Sequence, residues 1–449
     1  MNLSQNILRL VSRCKVSLTL LFRGDLKTIY KRMRAILMPY AMPSLIIEDI
    51  KPNIRIKKEP IFSQQNETQV GHKVLVVDQN FKRYGSHISL SEIIIPLQKQ
   101  LHENQIEMQL ACLERVGDLS SKYTQLFKVQ KLLQFPTHMS LAEHYEKEVH
   151  TLAEELKSFA PNMVYANSVD MFPVIDAAQI ANIKSIWNIR EAQDWRLRFA
   201  DRHPDIIARA LACFSYPEKV IFVSETSART WQEYTDSLKT TVIKTAIAPT
   251  AFQNANLTSA KKLRLKLGIP KDGVMLLTVG TLCRDKGQLD GARAITTLPT
   301  SVRNKIHWVF IGKSEAAYVK KLKKIWPKDH AEKNLHFGGH VIDCVPYYFA
   351  ANALVSCSRT EAMPRNILEG IMAGLPIIST DIAASREAVG SYSDSMFYGL
   401  GDLEALARYI KSVTPEGIMP TIRNLDNAYR SYEAMLNEYN DHIKTSVKA

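Results

Sequence analysis

Two glutamates eight positions apart, Glu361 and Glu369, stand in the stretch of this 449-residue chain best placed to do chemistry, residues 356–380, SCSRTEAMPRNILEGIMAGLPIIST. The apolar run ALVS up to Ser356 reads as a buried strand, and the loop after it carries Arg359, Thr360 and Glu361. Pro364 suits a first helical turn, because its ring presets φ and its missing N–H would be unpaired there anyway. A short helix over 366–373 then stops at Gly374, with Pro376 beyond it. The strand expected over 376–380 is apolar enough to be covered on both faces. This layout sets the positive end of a helix at the carboxyl edge of a parallel sheet, a place that suits phosphate. Carboxylates beside it would accept hydrogen bonds from sugar or ribose hydroxyls, so the ligand suggested is a sugar nucleotide.

Two glutamates by themselves are more often a cap or a complement to the helix dipole. The whole string carries more. Glu-x7-Glu with an internal proline, then Ala-Gly-Leu-Pro and an apolar strand ending Thr-Asp, closely resembles the retaining, nucleotide-sugar-dependent glycosyltransferases of family four (group 1). That resemblance implies the GT-B fold, two facing Rossmann-like α/β domains. It implies Glu369 on the ribose hydroxyls, Glu361 on the donor sugar, and the loop of Ala362, Met363, Pro364, Arg365 and Asn366 around phosphate and sugar. In VMLLTVGTLCRDKGQLDGARA (274–294), Gly280 ends a strand and Lys286-Gly287 opens a helix. Lys286 matches the family lysine on the donor pyrophosphate, so Lys286 and Glu361 are the candidate catalytic groups. Gly339 and His340, with Val341, match the segment that borders the base, and Gly312 matches a family glycine.

The chain departs from the family at several places. Thr281 stands where an arginine is usual; Thr281 can still donate a hydrogen bond, and Arg284 could supply charge. Gly85, in Tyr84-Gly85-Ser86-His87, is a single glycine where relatives often pair two near the substrate. His87, alone in that expected loop, reads as solvent-facing, with the cleft as its other destination. AIAPTAF replaces an Asn-Gly turn. WNIREA lacks the family histidine, and Arg190 there is read either as a contact to an anionic acceptor or donor phosphate or as a structural ion pair.

These residues need elements to hold them. In the first half, strands are expected over 73–78, 106–113, 163–167, 185–191 and 220–224, alternating with helices over 89–103, 139–159 and 174–181. Such alternation argues for a parallel sheet with helices on both faces. The organisation expected is a basic amphipathic arm (1–45), a linker (46–70), an acceptor domain (72–250), a nucleotide-sugar domain (251–424) and a C-terminal helix (425–449) crossing back to the first domain. Between Met1 and Tyr40 the arm has eight basic residues against Asp25 alone, with apolar residues at helical intervals. It reads as a segment on an anionic membrane surface, a helical appendage packed on the body, or a disordered tail.

Apolar residues make up 46% and charged residues 23%, as in globular rather than disordered chains. The formal charge of 58 − 45 = +13 implies an anionic partner without saying which. Six cysteines are scattered without metal or disulfide spacing, which fits a reduced cytosol, and Cys357 reads as loop packing. No apolar run approaches the ~18–20 residues of a membrane span. A cytoplasmic protein is expected, on the inner face of the plasma membrane if the arm binds lipid.

A dehydrogenase is excluded by the lack of a G-x-G-x-x-G after a strand. No Asp-x-Asp triplet or metal-spaced cluster occurs, so no metal and no cofactor are expected. Basic residues are not interleaved with aromatics, and no nucleic-acid partner is expected. The function expected is metal-free, retaining transfer of a sugar from a nucleoside diphosphate to a cell-surface polysaccharide or lipid-linked glycan. The alternative is a non-catalytic nucleotide-sugar or carbohydrate-binding protein derived from such an enzyme.

Overall fold

Short apolar runs alternate with longer amphipathic ones, and the computed structural model assembles the apolar runs into two parallel sheets. The structure describes residues 71–79, 85–112, 126–127, 129–131, 142–253, 257–329, 333–415 and 425–448. The expected arm and linker lie outside these residues, as does Tyr84.

The first sheet contains β1 (His72–Asp78), β2 (Ile106–Cys112), β3 (Val129–Lys131), β4 (Met163–Asn167), β5 (Lys184–Ile189), β6 (Lys219–Phe222) and β7 (Thr240–Val242). Their order is β3-β2-β1-β4-β5-β6-β7, all parallel. The second sheet contains β8 (Val274–Val279), β9 (Ile306–Ile311), β10 (Leu335–Gly339), β11 (Ala353–Ser356), β12 (Ile377–Thr380) and β13 (Ser395–Tyr398). Its order is β10-β9-β8-β11-β12-β13, again parallel. Each sheet has an apolar cluster on both faces, which is why its central strands are apolar throughout instead of alternating.

Order reverses between β1 and β4 in the first sheet and between β8 and β11 in the second. Chains leaving such neighbouring strands turn to opposite faces and open a crevice at the carboxyl edge. The sequence puts Gly280 and Thr281 just after β8 and the Glu361 loop just after β11. They therefore flank one crevice.

The helix Leu425–Lys448 follows the second domain but packs on the first. Its Met435, Leu436, Tyr439, Ile443 and Val447 share a cluster with Leu90, Ile93, Ile94 and Leu97 of the helix Gly85–His102.

Local boundaries differ from the sequence reading at two informative places. The expected loop at 85–87 is already helix, so His87 is buried instead of solvent-facing, and its Nδ1 lies 2.5 Å from Asp78 Oδ2. The strand expected to run to Glu191 ends at Ile189. Glu191 turns back there to accept from the Val169 N–H at 2.8 Å and from Ser168 Oγ at 2.8 Å, satisfying groups that follow β4.

Candidate active site

Carboxyl-edge loops from both domains enclose a cleft of about 370 Å³. That is the size range of small-molecule sites. Lys286, Glu361, Glu369, Ala362, Met363, Pro364, Arg365, Asn366, Gly280, Thr281, His340, Gly85 and Arg190 all line it. Gly339 does not; its carbonyl instead accepts from the Gly312 N–H at 2.7 Å, tying β10 to the turn after β9.

Two close approaches shape the second-domain wall. Gly312 has φ +138°, and a Cβ there would stand 2.1 Å from the Gly280 carbonyl oxygen. Gly287 has φ +64°, and its Cβ would meet the Cys357 carbonyl oxygen at 2.0 Å. Only glycine fits either position without displacing the backbone. The second contact brings the Lys286 turn against the start of the Glu361 loop.

Lys286 Nζ consequently pairs with Glu361 Oε1, which also accepts from Ser358 Oγ at 2.7 Å. Both side chains keep some exposure to the cleft, 31% and 13%. The pair offers a cation to a phosphate and an acceptor to a hydroxyl within one turn's reach. Arg284 is exposed and is absent from the lining, whereas Lys313 lines the cleft beside Thr281. The Leu282 N–H donates to the Lys313 carbonyl at 2.7 Å, which aligns the two loops. Lys313 was missed by sequence reasoning. It follows Gly312 at a strand end as Thr281 follows Gly280, and that shared position was its signal.

Pro364 stands just before the helix Arg365–Met372, its carbonyl accepting from the N–H groups of Ile367 and Leu368 at 3.0 and 3.3 Å. The first N–H groups of a helix have no partner inside it, so those of Arg365 and Asn366 are suited to a ligand anion. Asn366 is anchored by its own amide, which donates to the Val279 carbonyl at 3.1 Å. Glu369, one turn further, accepts from Tyr348 Oη at 2.7 Å and from Arg365 Nε at 3.1 Å. Burial, then the charge of Glu369, pushes the Tyr348 phenol well above its ordinary pKa, so Tyr348 stays a donor. Burial pushes the Cys357 thiol up to about 12, which leaves it protonated and inert, as packing requires.

Arg365 reaches across the cleft. It forms a two-pronged pair with Glu92 of the first domain at 2.6 and 3.0 Å and also meets Ser89 Oγ at 2.9 Å. Burial pulls its pKa down, but Glu92 and then Glu369 outweigh this, and the net direction is up. Two further ties join the domains nearby. Ser224 Oγ donates to the Ala362 carbonyl at 2.7 Å, and Glu387 accepts from the N–H groups of Glu225 and Thr226 at 2.8 and 3.0 Å. The first-domain wall itself contributes one strong cation, Arg190, whose Nε donates to Asn167 Oδ1 at 2.6 Å.

With this geometry in view, comparison with known proteins places the chain. Residues 259–430 match the model of the family Glycosyl transferases group 1. That match falls on the second sheet and its helices. A putative teichuronic acid biosynthesis glycosyltransferase, TuaC of Bacillus subtilis (strain 168), is 26% identical over 214 residues, 46% of this chain and 52% of that protein. The lipopolysaccharide glucosyltransferase WaaG of Escherichia coli (strain K12) is 24% identical over 267 residues, 57% of this chain and 68% of WaaG. The match thus spans about half to two thirds of the length of these relatives. Among solved structures, Anabaena Alr3699/HepE in complex with UDP-glucose superposes with a TM-score of 0.66 at 18% identity, over 83% of this chain and 100% of HepE. The fold is GT-B.

Proposed function

We propose that this protein is a glycosyltransferase that moves a sugar from a nucleoside diphosphate to an acceptor, with retention at the anomeric carbon. One observation carries the reading: Lys286, Glu361 and Glu369 converge on one interdomain cleft at the reversal of strand order in the second sheet. Glu369, held by Tyr348, takes the ribose hydroxyls. Glu361 takes hydroxyls of the donor sugar. Lys286, with the N–H groups at the start of the helix Arg365–Met372, bears the charge that grows on the departing diphosphate, which is electrostatic stabilisation of the leaving group. His340 borders the base, and Arg190 meets the acceptor or the donor phosphate from the opposite wall.

The relatives' roles in teichuronic acid and lipopolysaccharide synthesis support a surface-glycan or lipid-linked acceptor. The complex of HepE with UDP-glucose makes UDP-sugars the first donors to test. A surface-glycan acceptor would place the protein in the cytoplasm at the inner face of the membrane. Among the described residues no helix is long and apolar enough to cross a membrane.

The test is thermal-shift titration with UDP-, GDP- and ADP-sugars on the native chain and on Glu369→Ala. A ligand at about 100 times its Kd adds ~2.7 kcal/mol to folded-state stability. One nucleotide series should raise the native midpoint and leave the variant unmoved. If no nucleotide at millimolar concentration moves the native midpoint, the reading is wrong. Thr281, in place of a cation, supports the second reading, a binding protein without turnover. Retained binding with no sugar transfer or donor hydrolysis would select it.

A further inference from the structure

Both carboxylate oxygens of Glu369 have partners within the chain. Its Oε2 accepts from Tyr348, and its Oε1 lies 3.1 Å from both Nε and Nη2 of Arg365. Arg365 and Glu369 are four positions apart in one helix, the spacing at which an arginine and a glutamate readily pair on their own. A guanidinium that gave its whole fork to Glu369 would occupy the lone pairs on which a ribose depends.

In the structure the guanidinium reaches only Oε1 of Glu369, because the first domain claims its outer hydrogens. Glu92, in the helix Gly85–His102, takes the Nη1 and Nη2 hydrogens of Arg365 at 2.6 and 3.0 Å, and Ser89 shares Nη1 at 2.9 Å. Glu92 is itself held from behind: Tyr432 of the C-terminal helix donates to its backbone carbonyl at 2.5 Å. All three charged side chains are largely buried, with 14%, 20% and 17% exposure for Arg365, Glu92 and Glu369. A buried guanidinium must keep its hydrogen bonds filled, so losing one carboxylate drives it onto the other.

We propose that Glu92 is a positioning residue for nucleotide binding: by drawing Arg365 across the cleft it holds the guanidinium to Oε1 of Glu369 and leaves the carboxylate's remaining lone pairs to the ribose. This rests on Glu369 being the ribose acceptor. Its consequence is that donor affinity depends on the contact between the two domains.

The experiment is calorimetric titration with UDP, GDP and ADP, continued with whichever binds, on four chains: native, Glu92→Gln, Arg365→Gln and the double variant. Glu92→Gln should weaken binding five- to twentyfold although Glu92 does not touch the nucleotide. Arg365→Gln, which cannot cover Glu369 with a charge, should bind more tightly than Glu92→Gln and sets the reference for the double variant. The double variant should recover to within twofold of Arg365→Gln. A merely structural role for Glu92 predicts no such recovery. Native-like binding by Glu92→Gln, or a double variant as weak as Glu92→Gln, overturns the proposal and leaves the donor site standing. A native chain that binds none of the three nucleotides overturns the glycosyltransferase reading itself, and this inference with it.

Discussion

The two walls of the cleft use polar residues in opposite ways. On the second-domain wall the charged side chains sit on loops that leave β8, β9 and β11, and the pair of Lys286 and Glu361 keeps part of its surface exposed where it lines the cleft. On the first-domain wall the polar residues at the ends of β1, β4 and β5 are turned on one another. Asp78 is fully buried and accepts from Asn167 Nδ2 at 3.1 Å while meeting His87; Asn167 in turn accepts from Arg190. Tyr439 reaches Asn188 from the C-terminal helix at 3.4 Å. One wall holds its polar groups ready for a ligand; the other spends them on rigidity. Arg190, at the edge of that internal network, is the exception that also lines the cleft.

Substitutions on the two walls should therefore fail in different ways. The largest effect is expected for Lys286→Met, which removes the cation and leaves Glu361 facing the cleft unpaired. Turnover should fall by about 100- to 1,000-fold with the unfolding midpoint little changed, since loss of one electrostatic stabiliser costs on this order. A drop in stability that matched the loss of rate would erase the contrast between the walls.

Asp78→Ala should show the converse. It removes the acceptor shared by Asn167 Nδ2 and the Gln79 N–H, which donates to Asp78 Oδ1 at 2.8 Å, and the buried partner of His87. A loss of about 2–4 kcal/mol in urea unfolding is expected, with nucleotide affinity within about twofold. A variant of native stability with impaired binding would show that the network belongs to the site.

The smallest effect lies away from the cleft, in His307 near the start of β9. Burial, then His336 and Arg264, against Asp272, lowers its pKa to about 4; His336 Nε2 lies 3.2 Å from its Nδ1. Above the unfolded value of about 6.5 the imidazole is neutral in both states and costs nothing. As pH falls from there towards 4 only the unfolded chain takes up the proton, so stability is lost over that window. The loss should be about 2 kcal/mol, and His307→Gln should flatten the dependence of unfolding midpoint on pH between 6.5 and 4. An unchanged slope in the variant would assign the acid sensitivity to the carboxylates instead.

Most of the second domain was legible because its signals are local. An apolar run followed by Gly-Thr, or by a loop into Pro364, declares a strand end and a helix start within a dozen residues. The elements that escaped notice are short or weakly patterned. β3 (VQK) and β7 (TTV) have only three residues each, and β13 (SMFY) has four. The helix Pro204–Ala212 follows a run of charged residues that masked its start. At the first-domain rim, the helix begins at Gly85, ahead of the expected 89. Tertiary packing overrode the turn reading of Gly85, because His87 finds a buried carboxylate on β1.

The amino-acid sequence alone determined where chain direction changes and which side chains stand at those changes: Lys286 beside Gly287, Glu361 after β11, Glu369 inside a helix. Such placement follows from backbone geometry over a few residues. Partnership was decided only in three dimensions. Arg365 reads in the sequence as one more phosphate-loop residue, yet its strongest partner, Glu92, lies 273 positions away. A guanidinium goes to whichever buried carboxylates surround it, and which carboxylates those are depends on how two domains meet, which no local pattern encodes.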